Sequence, residues 1–357
     1  MVKITDELVS IPTLRRDEFT AGEHLGSGGF AIVFSITLKD EDQELSIMPS
    51  RAHSIEASDP ADSTPPINEF AIKMLHEKSL EDKDKARHAM RDIQNEVKIL
   101  SQQDHPNIIR VHAVSLGFWK SDDPAKSFFV MEKLSETLDR SLERWRKEEH
   151  GPMPRYFRSK QRLHMCQSRR IQIVALGLAR AMEYLHSRDV MYRDLKPTNV
   201  GFAMVNDRND QPVVKLFDFA SATLLQKGDS LINARVGTYR YMAPEVALKI
   251  TYDRKADVYS FGMLLWEICS LEKPYAKLKD KFELSLSVMK RDTHPPLKAN
   301  YIASDNIRNL LTRCWKPESR ERPSFTNIKQ SLQKEADHLK GEISNNDAAT
   351  KTRTTLL

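Results

Sequence analysis

The sequence predicts an α+β fold divided into a β-rich N-terminal half and a helical C-terminal half. Three observations predict it. Strand-like alternation and short apolar runs occupy residues 19–38, 70–75 and 127–134. One long amphipathic pattern, at 81–101, interrupts them. Beyond about residue 135 the apolar period becomes helical, and the run 257–268 is apolar on nearly all sides. Strands grouped first and helices grouped later indicate segregated layers, not an alternating parallel sheet.

The first elements are two strands around a glycine turn. In Leu25-Gly26-Ser27-Gly28-Gly29-Phe30-Ala31-Ile32-Val33-Phe34, glycines sit between apolar residues. Past the turn, Ile32, Phe34, Ile36 and Leu38 alternate with Ala31, Val33, Ser35 and Thr37. Glycines let a backbone lie close over phosphates and aim N–H groups at them. The same run also reads as a plain hairpin. A dinucleotide fingerprint requires a helix directly after the glycines, whereas here a strand follows. Residues 39–68 are acidic, rich in Ser and Pro and poor in large apolar groups, which predicts an inserted loop. In the strand at 70–75, Lys73 shares a face with Ala71 and Leu75. Such a lysine either meets an anion or lies on an edge strand facing water. Within 81–101, Ala86, Met90, Ile93, Val97 and Leu100 recur at helical steps, and Glu96 borders their stripe. A carboxylate entering a packed face is costly unless paired. Lys73 is the natural partner; a glutamate reaching water from the margin is the other reading.

The second half begins with a basic stretch, 146–170, read as an irregular insertion that is either solvated or turned towards an acidic partner. Ile171, Val174, Leu178, Met182 and Leu185 then mark an amphipathic helix. It leads to residues 190–200, VMYRDLKPTNV, which place Asp194, Lys196 and Asn199 on a segment that Pro197 keeps out of helix. An acid, a base and an amide so spaced suit phosphoryl transfer: the first accepts a hydroxyl proton, the second steadies the moving group, the third ligates a metal. Read locally, the run is equally a charged surface turn. Residues 200–203 and 213–217 form a hairpin that ends at Asp218-Phe219-Ala220. Asp218 beside Asn199 would make a Mg²⁺ site of hard oxygen donors. Residues 221–241 carry Ser221, Thr223, Ser230, Thr238, Tyr239 and Tyr241, as a regulatory loop or an ordinary one. Asp257, opening the all-apolar helix, is placed to fix the central loop through backbone N–H groups. The tail after about Lys334 is polar and patternless, and is expected to fray.

The length of 357 residues allows two domains, or one bilobed domain with tails. A net charge of +5, mixed along the chain, gives no reason to expect nucleic acid as a partner. The three cysteines (Cys166, Cys269, Cys314) are far apart, which fits a reducing compartment and argues against a disulfide framework. The first residues lack an apolar core of signal-peptide length, and no apolar run is long enough to span a bilayer. The expectation is a soluble cytoplasmic protein, with nuclear entry left open.

Taken together, these motifs resemble the eukaryotic protein kinases, in family order, over roughly residues 19–338. GSGGFAIV resembles the glycine-rich loop, AIK the strand bearing the phosphate-binding lysine, and NEVKIL the helix bearing its glutamate partner. YRDLKPTN is similar to the catalytic loop, DFA to the metal-binding motif, and MAPE at 242–245 to the close of the activation segment. Arg322 looks like the buried arginine that pairs with Glu245. The resemblance implies a bilobed kinase fold: a small lobe over 19–131, a hinge over 132–134 and a helical lobe over 135–338. A 1–18 extension and a 339–357 tail flank it, and the insertions 39–68 and 146–170 interrupt it.

The resemblance further implies that Lys73, fixed by Glu96, holds the ATP phosphates, and that Leu25 to Phe30 (Gly26, Ser27, Gly28 and Gly29 between them) cover the nucleotide. Val33, Ala71 and Met131 would line the adenine, with Glu132 and Leu134 offering backbone hydrogen bonds. Asp194 would accept the substrate proton, Lys196 would neutralise the moving phosphoryl group, and Asn199 and Asp218 would hold Mg²⁺. Lys196 and GTYRYMAPE resemble the Ser/Thr-specific pattern, in which Thr238 bonds Asp194 and Lys196. DVYSFGMLLWEI and CWKPESRERPSF resemble the tyrosine-kinase-like group. Arg193 resembles the arginine of kinases switched on by a phosphate in the activation loop, which implies an upstream activating kinase and makes Ser221, Thr223, Ser230 and Thr238 regulatory candidates.

Four departures stand out. Tyr192 replaces the usual His and would stack in a spine with Val111, Leu100 and Phe219. Ala220 replaces a glycine, which predicts a restricted flip of Phe219. Gly201 stands where a leucine usually lies under the adenine, and residues 39–68 lengthen the small lobe. The first three motivate an alternative, a nucleotide-binding pseudokinase scaffold, although none of the four removes a phosphate, metal or proton-transfer group.

Overall fold

Alternating apolar residues build one sheet outward from the glycine hairpin. The computed structural model describes residues 11–40, 70–120, 123–150, 160–203, 212–225, 232–278, 280–290, 294–299 and 301–337. These fall into two units: one runs to Ser135 and includes 217–220, and the other holds most of the chain after it. In the first unit β2 (Phe19–Ser27) and β3 (Ala31–Leu38) form the expected antiparallel hairpin. β3 pairs with β4 (Phe70–Leu75), β4 with β6 (Phe128–Glu132), and β6 with β5 (Val111–Ser115). A short β1 (Thr13–Leu14) adds itself parallel to β5, so residues ahead of the first predicted strand join the sheet. Leu14, Phe19, Ile36, Phe70, Ile72, Ala113, Phe128 and Val130 make the core of this sheet. Phe19 meets Phe128 edge to face at 5.3 Å between centroids.

Two helices follow β4: α1 (Glu77–Leu80) and the long α2 (Lys83–Leu100). Asp82 caps α2 by accepting the N–H groups of Asp84 and Lys85. The predicted stripe of Ala86, Met90, Ile93, Val97 and Leu100 is buried, and Glu96 is buried with it. From residue 41 onwards the acidic insertion lies outside the described residues, as does the tail from residue 338.

In the second unit, α3 (Leu138–His150) and α4 (Lys160–Arg170) occupy most of the stretch read as an irregular basic loop. That reading is corrected: only 151–159 lie outside the described residues, and both flanks are helical. The period was invisible because α4 packs through polar groups. Gln167, Ser168 and Arg170 are buried. Arg170 donates to the carbonyls of Ile268 (2.7 Å) and Cys269 (3.0 Å). A π-turn over Ile171–Ala175 joins α4 to α5 (Leu176–Ser187), the predicted amphipathic helix. β7 (Glu136–Thr137), β9 (Val200–Ala203) and β10 (Val213–Leu216) form a small sheet, and β8 (Val190–Met191) pairs with β11 (Thr223–Leu224).

Further on lie α6 (Pro244–Ala247), α7 (Lys255–Ser270), α8 (Lys281–Met289) and α9 (Asp305–Cys314). Every residue of α7 from Ala256 to Ser270 is buried, as its apolar circumference requires. Burial pushes the thiols of Cys269 and Cys314 up to about 12, so both stay protonated and unreactive near neutral pH.

Candidate active site

The first unit assembles a buried ion cluster. β4 lies between β3 and β6, with Lys73 opposite Val33 on one side and Phe129 on the other. Lys73 is therefore on a central strand, and the edge-strand reading falls away. Its Nζ donates to Glu96 Oε2 at 2.7 Å and Oε1 at 3.0 Å, and to Asp218 Oδ1 at 3.1 Å. Glu96 also accepts the Phe219 N–H at 3.2 Å, which ties α2 to the DFA turn. Burial disfavours charge on Lys73, yet the carboxylates of Glu96 and Asp218 together outweigh it. The ammonium is held protonated well above its ordinary range.

Asp218 has φ of +60°, a left-handed conformation that aspartate tolerates better than most residues. Phe219–Ser221 then make a 3₁₀ turn. Ala220 is not among the described residues with positive φ, so alanine fits there without strain.

The glycine turn closes with Gly28 N–H donating to Ala31 O at 2.8 Å. A Cβ added at Gly26 or Gly29 would meet nothing within 4 Å, and one at Gly28 would meet only Ala31 O at 3.9 Å. None of the three has positive φ. Neither packing nor backbone conformation demands glycine here, so the reason lies in what approaches from outside. A polyphosphate lying against bare N–H groups is such a reason. Ser27 and Phe30 are exposed, Leu25 and Val33 half-buried, and Ala71 and Met131 buried. Glu132 is anchored at both its backbone and its side chain: its N–H donates to Arg110 O at 3.3 Å, and its Oε1 accepts the Arg110 N–H at 2.8 Å. Leu134 is half-buried, two residues past the end of β6.

The second unit assembles the proton-transfer candidates. Asp257 on α7 accepts the backbone N–H of Tyr192 at 3.0 Å and of Arg193 at 2.8 Å, the role its position predicted. His186 Nε2 lies 2.9 Å from the same carboxylate. No local signal pointed to this histidine, because its partner is 71 residues away. On the loop so fixed, Asp194 Oδ2 accepts Lys196 Nζ at 2.6 Å, and Asp194 Oδ1 accepts the Thr238 hydroxyl at 2.8 Å. Lys196 also donates to Thr238 Oγ1 at 3.2 Å, closing a ring of three side chains. Asn199 Nδ2 donates to Asp194 O at 2.9 Å and Oδ2 at 3.2 Å, leaving Oδ1 as the atom a hard cation would meet. Gly237 makes the approach of Thr238 possible: its φ is +109°, and a Cβ there would lie 2.5 Å from Arg193 O.

Asp218 belongs to the first unit and Asn199 to the second. Among the described residues no cluster of His, Cys, Asp and Glu forms a preassembled metal site. Asp218 and Asn199 each carry a hard oxygen donor, a carboxylate and an amide oxygen respectively, of the type that Mg²⁺ takes beside water and phosphate.

The spine candidates Tyr192, Leu100 and Phe219 are buried and Val111 is half-buried. Gly201 sits in β9 opposite Thr137. Of the regulatory candidates, Ser221 gives its carbonyl to Arg193 Nε at 2.6 Å. Thr223 lies in β11, Thr238 is engaged with Asp194, and Ser230 lies outside the described residues. Arg322 is fully buried and grips Glu245 with two hydrogen bonds of 2.5 and 3.0 Å.

Comparison with known proteins agrees with this geometry. The family model described as Protein kinase domain matches residues 66–332. Serine/threonine/tyrosine-protein kinase HT1 of Arabidopsis thaliana is 29% identical over 289 residues, covering 80% of this chain and 66% of the relative. Serine/threonine-protein kinase VIK of the same plant is 31% identical over 254 residues, 70% of this chain and 51% of the relative. Serine/threonine-protein kinase STY46, also from Arabidopsis thaliana, is 35% identical over 160 residues, 45% of this chain and 26% of the relative. The chain thus matches between about a quarter and two thirds of the length of these curated relatives.

Proposed function

This chain belongs to the protein kinase family, and we propose that it transfers the γ-phosphate of ATP to serine and threonine hydroxyls of protein substrates. The observation that carries this reading is the closed network of Lys196, Asp194 and Thr238. A substrate hydroxyl would lose its proton to the Asp194 carboxylate, whose two oxygens are already oriented by an ammonium and a hydroxyl donor. Lys196 would stabilise charge on the moving phosphoryl group. Lys73, held charged by Glu96 and Asp218, would bind the α- and β-phosphates, and the bare glycine arc would cover them. Mg²⁺, held by Asn199 and Asp218 oxygens, would supply positive charge against the phosphates. Tyr192, Ala220 and Gly201 leave every one of these groups in place, which supports an enzyme over a scaffold.

The test is turnover of purified chain with Mg·ATP and casein, beside Asp194→Asn. Turnover on the order of 1–100 s⁻¹ is expected, falling about 10²–10⁴-fold in the variant. Equal turnover in the two proteins would sink the proposal. Phosphoamino-acid analysis of the product checks the acceptor, and phosphotyrosine as the main product would overturn the serine/threonine assignment.

A further inference from the structure

One tyrosine, absent from the motifs above, ties down the far end of the activation segment. Ile232 N–H donates to Tyr252 O at 2.8 Å, and Tyr252 N–H donates to Ile232 O at 3.0 Å. The Tyr252 hydroxyl donates to the Ala234 carbonyl at 2.8 Å. The ring is buried, so that carbonyl stands in for water as the acceptor of the phenol. Burial raises the phenol's pKa, and the Arg193 guanidinium offsets part of that rise.

Arg193 is itself over-determined. Its backbone sits at φ +70°, its N–H is held by Asp257, and its Nε is held by the Ser221 carbonyl at 2.6 Å. The start of the segment therefore meets this arginine directly, through Ser221. The later part is held by Tyr252. Three residues past Ala234, Gly237 packs against the Arg193 carbonyl, and Thr238 then reaches Asp194. The chain from 232 to 238 is thus pinned between Tyr252 at one end and Asp194 at the other.

We propose that Tyr252 is a positioning residue for phosphoryl transfer: its hydroxyl and its backbone hold residues 232–234 and order the approach of Thr238 to Asp194 without a phosphate on the segment. The inference rests on the kinase reading and sharpens its regulation. An arginine beside a catalytic aspartate would ordinarily wait for an added anion to neutralise it and order the loop. Here the Ser221 carbonyl already stands at that cation, and Tyr252 already holds the segment.

The test uses the full chain, treated with phosphatase and verified by intact mass, as wild type and as Tyr252→Phe. The variant keeps the ring and the backbone bridge and deletes only the hydroxyl. Expected for the wild type is turnover of casein unchanged by phosphatase, with slow amide exchange over residues 232–238. Expected for Tyr252→Phe is exchange about tenfold faster in that segment and kcat about tenfold lower, with KM for ATP unchanged. Loss of wild-type turnover and of amide protection on phosphatase treatment would overturn the proposal, and so would wild-type exchange in the variant. If no protein turns over ATP but Tyr252→Phe still loosens the segment, the kinase reading fails and the ordering role is supported. If Tyr252→Phe does not fold, the wild-type comparison before and after phosphatase decides alone.

Discussion

Glu96 and Glu267 are both buried carboxylates on helices, and their partners set them apart. Glu96 faces an ammonium; Glu267 faces the Tyr241 hydroxyl, which donates to it at 2.6 Å. Burial pushes Glu267 up to about 7, against the opposing pull of the Tyr241 hydrogen bond. A carboxyl whose folded pKa is raised binds its proton more tightly when folded. Its contribution to stability is full below the unfolded value near 4.5 and is lost as pH rises through 7. Glu267→Gln keeps an acceptor for Tyr241 and removes the titration. Urea denaturation should show the wild type losing up to about 3 kcal/mol between these limits relative to the variant. Parallel pH profiles would count against a buried, titrating Glu267. At this scale the sequence was legible as alternatives: it offered Lys73 and Glu96 as a pair or as two surface groups, and could not choose. The choice depends on whether β4 is central and whether α2 turns its Glu96 edge inward, which are properties of packing.

At the scale of the element, α7 was the most legible part of the chain, since an apolar run with no polar face has nowhere to go but inside. What it packs against was not legible. A Cβ on Gly262 would lie 2.7 Å from Trp315 Nε1 and 2.8 Å from Cys314 Cβ, so the glycine is a notch for the end of α9. Gly262→Ala should lower stability by about 1–3 kcal/mol, through overpacking, despite alanine's better helix propensity. A thermal midpoint at or above that of the wild type would contradict that contact. α4 shows the opposite failure. Its buried face is Gln167, Ser168 and Arg170, of which Gln167 and Arg170 donate to carbonyls about a hundred residues away, so no apolar period marked it as helix. Hydrophobic periodicity finds elements that pack through oil and misses those that pack through hydrogen bonds.

For the whole molecule, nucleotide binding and chemistry should separate. Mg·ATP at about 100 times its Kd should stabilise the wild type by about 2.7 kcal/mol. Calorimetry should show the same upward shift of Tm in Asp194→Asn and little or none in Lys73→Met. A shift retained in Lys73→Met would take phosphate binding away from that lysine. The sequence by itself determined the β-rich then helical order of the chain, and it offered the loop of Asp194, Lys196 and Asn199, the DFA turn and the candidates for the phosphate and proton groups. Each of these is written in residue types at short spacing, where local chemistry is specific. Only the tertiary structure decided that Lys73 is flanked by two carboxylates, that Thr238 closes on Asp194, and that Tyr252 holds Ala234. These partners lie tens to more than a hundred residues apart. Their meeting depends on which faces the strands and helices bury, and a linear pattern does not contain that information.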